Sequence, residues 1–155
     1  MSNQQNNFTK SYHATRKYYR LPGVNALTIA IYHELLNMVN EEKGFAFPSR
    51  TYLENIFCCT PKSITEATKK LKEYGLIEKI ERDGFHGGNH YYMRMPIESE
   101  KKFEEIFAEE LKPYYEKQAK KEKAKQRDKE RKEQLDKLYG KKQSEQEQEF
   151  DSSYF

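Results

Sequence analysis

The chain has 155 residues, of which 35% are hydrophobic and 34% charged, and its formal net charge is +3. This length suits one small domain with appendages, and no apolar run approaches the roughly 20 residues of a membrane span. Because the polar start, SNQQNN, also lacks the apolar centre of a signal peptide, we expect a cytoplasmic protein without membrane contact.

Charge and apolar side chains are unevenly distributed along the chain. Residues 1–97 hold 13 Lys/Arg against 9 Asp/Glu, whereas residues 98–155 hold 15 against 16 and few aliphatic side chains after Leu111. The hydrophobic core must therefore come from the first part of the chain, which is long enough to fold by itself. Residues 1–16 are rich in Asn, Gln, Ser and Thr, which predicts a disordered N-terminus.

A helical stripe dominates the next segment. Apolar side chains recur every three or four residues from 25 to 40, so this helix should be the buried spine of the domain. Ahead of it, Tyr18 and Tyr19 are expected to anchor the chain in the core. Behind it, the sequence Phe-Ala-Phe at 45–47 predicts a short strand.

Two short helices follow, and each has a start signal. Ser49 offers a capping hydroxyl for a helix at Arg50–Phe57, and Thr60 followed by Pro61 offers the same for the next. Gly75 suits the left-handed residue that closes the second helix. The side chains expected to face the core are Tyr52, Leu53, Ile56 and Phe57 in the first helix and Ile64, Ala67, Leu71 and Tyr74 in the second.

A glycine-rich hairpin completes this region. Residues 76–82 begin a strand, the tip contains Asp83-Gly84 and Gly87-Gly88, and Tyr91, Met93 and Met95 alternate with polar neighbours in the return strand. The order of elements predicts a mainly α fold with a small β-hairpin, the winged helix-turn-helix. The usual role of that fold is to bind duplex DNA. We call residues 82–90 the wing.

After Pro96 the composition changes. Phe103, Ile106, Phe107 and Leu111 form a compact stripe, and Pro113 should interrupt or restart this helix. The charged sequence of residues 113–139 predicts a helical extension without the apolar seam of a coiled coil. The predicted division is a disordered start at 1–16, a winged-helix domain at 17–97, a docking helix at 98–112, the extension at 113–139 and a disordered acidic tail at 140–155.

No set of residues predicts catalysis. Cys58 and Cys59 are neighbours in sequence, which very rarely bridge each other, and are expected to be small buried residues in the turn between two helices. The four histidines lack the paired spacing of a zinc module, and the glycines of the wing lack the lysine and the strand-to-helix change of a phosphate loop. We therefore predict a protein that is not an enzyme and has no metal or cofactor.

The second helix of a helix-turn-helix enters the major groove with its N-terminal residues foremost. Hydroxyl groups can bind either base edge, glutamate can accept from cytosine, and lysine can bind guanine or phosphate. The glycine-rich wing suits phosphate or minor-groove contact. The residues expected to contact DNA are Arg50, Thr60, Lys62, Ser63, Thr65, Glu66, Lys69, Lys70, Arg82, His86, Asn89 and His90.

Residues 17–97 resemble a family of winged-helix DNA-binding proteins found on plasmids and phages of Gram-positive bacteria. The resemblance rests on YRLP at 19–22, the helix at 25–40, FPS at 47–49 and GLI at 75–77. Members include plasmid replication initiators, phage replisome organisers and small transcriptional regulators, so one scaffold serves several functions. Cys58 and Cys59 depart from the family pattern, in which a small residue or glycine often occupies the turn.

Three functions stay open at this point. The first is a DNA-binding protein of a mobile element that acts in replication initiation or maintenance and recruits a partner protein through residues 98–155. The second is a transcriptional regulator that uses the same domain, with a homodimer interface. The third is a protein-interaction module that has lost DNA binding. The long charged extension with its acidic, aromatic tail favours recruitment, and therefore the first.

Overall fold

The computed structural model describes residues 13–85 and 87–152, without the side chains of Ser144 and of residues 147–152. The chain divides into two compact units, one ending at Leu111 and the other beginning at Lys112. A 3-10 helix at Arg16–Arg20 comes before the regular elements. These are α1 (Ala26–Asn37), α2 (Arg50–Phe57), α3 (Pro61–Glu73), β1 (Ile77–Arg82), β2 (Asn89–Met93), α4 (Glu100–Ile106) and α5 (Ala108–Ser152). The predicted winged helix-turn-helix followed by C-terminal helices is confirmed.

Capping side chains fix where the helices begin. Asn25 Oδ1 accepts a hydrogen bond from the Thr28 amide at 3.0 Å at the start of α1. Ser49 Oγ accepts from the Tyr52 amide at 3.1 Å, and Thr60 Oγ1 accepts from the Ser63 amide at 3.3 Å. Each bond satisfies a backbone donor that the first turn of a helix leaves unpaired. The predicted starts of α2 and α3 are confirmed.

The core lies mainly between α1 and α3. The predicted Ile64, Ala67 and Leu71 of α3 and Tyr74 directly after it are all buried. Helix α1 contributes the fully buried Ile31, Tyr32 and Leu35. In α2 the prediction is confirmed for the buried Leu53 and for Phe57, which packs partly buried against the core, and is wrong for Tyr52 and Ile56, which are 39% and 45% exposed. This helix has only two turns and presents one narrow face to the core. The Tyr52 hydroxyl instead donates to Glu34 Oε1 at 2.8 Å.

The turn between α2 and α3 contains the two cysteines. Cys58 is exposed and lies in the left-handed region with φ at 47°, and Cys59 is partly buried. The prediction that both are buried is wrong for Cys58, because the turn reverses direction at this residue and points its side chain outward.

The hairpin is a two-stranded antiparallel sheet in which Ile80 pairs with Tyr91 and Arg82 with Asn89. The predicted strand at 45–47 is wrong: it is a single bridge between Ala46 and Tyr91, with backbone bonds of 3.0 and 2.8 Å. Pro48 follows two residues later and has no N–H to continue the pairing. The bridge still attaches the base of the hairpin to the segment before α2.

Helix α4 and the first turn of α5 complete the core of the first unit. Phe103, Phe107 and Leu111 are buried, and the Phe103 ring packs edge-on against Tyr18 with centroids 5.0 Å apart. Ile106 and Tyr19, both expected to be inside, are about half exposed. The helix breaks at Phe107 and not at Pro113, which lies inside α5.

The second unit is helical from Lys112 to Ser152, past the predicted start of a disordered tail at Gly140. A glycine costs a helix only about 1 kcal/mol relative to alanine, so Gly140 does not by itself end it. Leu135, Leu138 and Tyr139 are exposed. No helix in the described ranges is long and apolar enough to cross a membrane.

Candidate nucleic-acid interface

A groove of about 540 Å³ lies between α3 and the hairpin. We call it the wing groove. Its floor contains the apolar residues Ile64, Ile80 and Tyr91. The polar and charged side chains that line it are Arg50, Thr65, Thr68, Lys69, Lys72, Arg82 and Asn89. Among the described residues, no Asp or Glu lines this groove. Four cations without a carboxylate create a local potential that attracts a polyanion.

Helix α3 forms one wall of the wing groove, because side chains spaced three or four residues apart lie on the same side of a helix. Thr65, Lys69 and Lys72 are separated by four and three residues, so they share one exposed flank beside the buried face. Arg50, the first residue of α2, reaches this flank and donates from Nη2 to Thr65 Oγ1 at 3.3 Å. The Thr65 hydroxyl donates in turn to the Pro61 carbonyl at 3.0 Å. This short chain of bonds holds Arg50 at one side of the groove.

The hairpin supplies the opposite wall. Arg82 and Asn89 face each other as the last pair of the ladder. Beyond them the turn is closed by the Asp83 amide, which donates to the Gly88 carbonyl at 2.8 Å. Gly87 has φ at 68°, a conformation that glycine adopts without steric cost. The wing therefore has a defined turn that holds Arg82 and Asn89 beside α3.

The opposite flank of α3 carries acidic as well as basic side chains. Ser63, Glu66 and Lys70 line a second concavity, together with Gly23 and Asn25 at the start of α1. Lys70 Nζ bonds Glu73 Oε2 at 2.9 Å, and this hydrogen bond raises the pKa of Lys70.

The approach of the Lys70 side chain depends on Gly23. A Cβ at Gly23 would lie 2.7 Å from Lys70 Cε, so the lysine side chain would have to shift, and the φ of +80° at this position also favours glycine. The neighbouring Tyr74 donates its hydroxyl to the Pro22 carbonyl at 2.6 Å, and burial raises the pKa of that hydroxyl. These contacts attach the end of α3 to the segment before α1.

The remaining predicted residues lie apart from the wing groove. Thr60 caps α3, and its hydroxyl is 3.0 Å from that of Ser63. Lys62 is exposed, with Nζ 3.8 Å from Glu66 Oε1. His90 stacks on Phe45 with ring centroids 4.2 Å apart. His86 lies outside the described residues. The structure thus brings together Arg50, Thr65, Lys69, Arg82 and Asn89 out of the predicted set.

Lys72 lines the groove and was missing from the predicted set. Its spacing could have indicated it, because Lys62, Thr65, Lys69 and Lys72 follow one another at intervals of three, four and three residues. Among the described residues, no group of His, Cys, Asp and Glu is arranged to hold a metal ion.

Residues 25–77 match the model of a protein family described as a helix-turn-helix domain. The matched span begins at the capping residue of α1 and ends at the first residue of β1, so it contains α1, α2 and α3. No curated protein and no solved structure shows significant similarity to the chain. The match supports a helix-turn-helix domain at residues 25–77, a kind of domain whose usual ligand is DNA.

Proposed function

We propose that this protein binds double-stranded DNA with α3 in the major groove and a phosphate strand in the wing groove. The observation that carries the proposal is the wing groove itself, with four cations, no carboxylate among its described lining residues, and α3 as one wall. Cations that contact phosphate release counterions from the duplex, which is the main source of affinity in such interfaces.

The two ends of α3 have different roles in this proposal. Thr60, Lys62, Ser63 and Glu66 lie in or near its first two turns, where a recognition helix reaches base edges. Lys69, further along, and Lys70 contact the sugar-phosphate backbone, with Lys70 exchanging its bond to Glu73 for one to phosphate. Base edges carry the sequence information and phosphate contacts set the position.

The other predicted contacts belong to the phosphate-binding side. Arg50, Thr65 and Arg82 line the wing groove directly, and Lys72 joins them. Asn89 stands at the end of the hairpin ladder, and we propose that His86 and His90 of the wing also contact the duplex. Arginine suits this position because its guanidinium group makes two parallel bonds to phosphate.

For the biological process, we propose replication initiation or maintenance of a plasmid, phage or similar mobile element. The support is the second unit, a long charged helix whose described side chains are mostly exposed and available to a partner protein. A transcriptional regulator would use the same groove, with a homodimer setting the spacing of two half-sites. A binding site inside a replication origin favours replication, and one overlapping a promoter favours regulation.

The experiment is a selection of duplexes from a randomised library with the full chain, followed by affinity measurements on the selected and on a random duplex. Lys62→Ala/Ser63→Ala should weaken binding to the selected duplex by about 1–3 kcal/mol, the value of a lost base contact. Binding to random duplex should change much less. Lys101→Ala on α4 is the control, because it removes one exposed positive charge away from α3.

Two results would contradict the proposal. Failure of the full chain to bind any duplex would favour a protein-interaction module. Equal affinity of the double variant and the parent for the selected duplex would show that α3 does not read the sequence.

A further inference from the structure

The turn of the wing presents a large apolar side chain to solvent. Phe85 is 96% exposed, far more than any other large hydrophobic residue in the described part of the chain. Full exposure of a phenylalanine ring forgoes the burial that would stabilise it by roughly 1.5–3 kcal/mol. This position next to a cationic groove therefore suggests a surface that buries the ring after binding.

The turn that carries Phe85 is braced from behind. The Phe85 amide donates to Asp83 Oδ1 at 2.8 Å, and Asp83 Oδ2 lies 3.3 Å from His90 Nε2. His90 stacks on Phe45 with an interplanar angle of 16°. These three contacts connect the tip to the body of the first unit. These contacts hold the backbone of the turn, so less backbone freedom is lost when the turn binds a partner.

Two aromatic rings near the base of the wing, Phe47 and Tyr92, each have a lysine over one face. Lys43 Nζ lies 4.7 Å from the centroid of Phe47, and Lys79 Nζ lies 4.3 Å from that of Tyr92. Each of these two rings therefore has a cation over one face, and Phe47 is 48% exposed. Phe85, at 96%, is far more exposed than Phe47 and Tyr92.

Duplex geometry indicates which surface Phe85 meets. Each DNA strand separates a major groove from a minor groove. If α3 lies in the major groove and a phosphate strand lies in the wing groove, the tip beyond that strand faces the adjoining minor groove. Proteins that bind the minor groove frequently insert Phe, Leu, Ile or Met between base steps and kink the duplex.

We propose that Phe85 is a minor-groove wedge that enters a flexible base step and bends the duplex, an inference that rests on the proposed function. Pyrimidine–purine steps such as TpA are the easiest to unstack. The wedge therefore adds a preference for deformable DNA beside the bases that α3 reads. Arg82 and Asn89, at the base of the same turn, hold the flanking backbone.

The test uses the full chain and a short mixed-sequence duplex that contains TpA steps and carries a donor and an acceptor dye at its ends. Binding of the parent should raise the energy transfer between the dyes, because bending brings the ends together. Phe85→Ala should abolish that rise and weaken binding about 10-fold or more, from the lost burial of the ring. Phe85→Leu should retain most of the bend, since leucine is also an apolar wedge.

Ile106→Ala is the matched control, because it removes an exposed apolar side chain of α4 and should leave both affinity and bending unchanged. A parent that binds without bending the duplex, or a Phe85→Ala variant that bends it as the parent does, would overturn the wedge. In both cases the proposed function would survive, because DNA binding itself would persist. If the parent binds no duplex at all, the proposed function fails and the wedge fails with it.

Discussion

Two neighbouring lysines of α3 lie in different surroundings. Lys69 lines both the wing groove and the second concavity and makes no bond to a carboxylate among the described residues, whereas Lys70 is bonded to Glu73 and lies over the Tyr74 ring. A lysine that already has a carboxylate partner must exchange one ionic contact for another to bind phosphate. We therefore expect Lys69 to contribute more to DNA affinity than Lys70, although the two carry the same charge.

Cys58 is strained by its backbone. A non-glycine residue in the left-handed region costs roughly 1–2 kcal/mol, and Cys58 has φ at 47°. Glycine removes this cost but gains about 0.5–1 kcal/mol of entropy in the unfolded chain. We expect Cys58→Gly to raise the free energy of unfolding by up to about 1 kcal/mol, measured by denaturant titration.

Cys59→Gly serves as the comparison for this substitution. Cys59 packs against the core, and positive φ values in the described chain occur at Cys58 and at glycines, so its replacement should destabilise the domain. Equal destabilisation by the two substitutions would contradict the interpretation of Cys58 as strained.

The sequence was enough to predict the helix caps and the left-handed glycine, but not how far the side chains of α2 are exposed. The caps at Ser49 and Thr60 and the left-handed Gly75 depend on hydrogen bonds within four residues, so the sequence contains all that determines them. The exposure of Tyr52 and Ile56 depends on where other elements stop. Periodicity shows which face of a helix points inward, but not how wide the covered face is.

At the scale of elements, the hairpin and the docking helix also show that features set by nearby residues were predictable and contacts with distant residues were not. The turn residues of the wing predicted a hairpin, since Asp-Gly and Gly-Gly pairs satisfy turn geometry locally. The prediction of a strand at 45–47 was wrong, because the pairing partner is a distant residue, Tyr91, and because Pro48 stops the ladder. Likewise the apolar stripe of α4 predicted that this helix packs on the domain, but its contact with Tyr18 could be identified only from the tertiary structure.

Helix α5 carries a dense basic stretch in the second unit. Residues 117–132 hold nine Lys/Arg against three Asp/Glu, and these basic side chains are exposed. If they contact DNA, the contacts should depend on charge alone. Deletion of residues 113–155 should then weaken binding to selected and random duplex about equally and flatten the salt dependence by roughly one unit of slope per lost phosphate contact.

Affinity titrations at several salt concentrations would measure this effect. A full-length variant with the nine basic residues changed to glutamine is the matched control, because it keeps the length of the helix. An unchanged affinity and slope in both variants would exclude a role of this segment in DNA binding and would favour partner recruitment.

At the scale of the whole molecule, positive charge is concentrated more by folding than by composition. The net charge of +3 is small for a DNA-binding protein of this size, and residues 98–155 are close to neutral. Arg50, the pair Lys69 and Lys72, and Arg82 come from three different elements, and the fold gathers them into one groove. Such a local field can direct an anion to its site even where the overall charge is modest.

The most direct test of the central claim is the salt dependence of DNA affinity in Lys69→Gln/Lys72→Gln. Each phosphate contact contributes about 0.9 to the slope of log K against log salt concentration, so two lost contacts should reduce the slope by about 2. Lys101→Gln/Lys102→Gln on α4 has the same net charge and should keep the slope of the parent. Equal slopes for the parent and both variants would show that the wing groove does not hold the phosphate backbone.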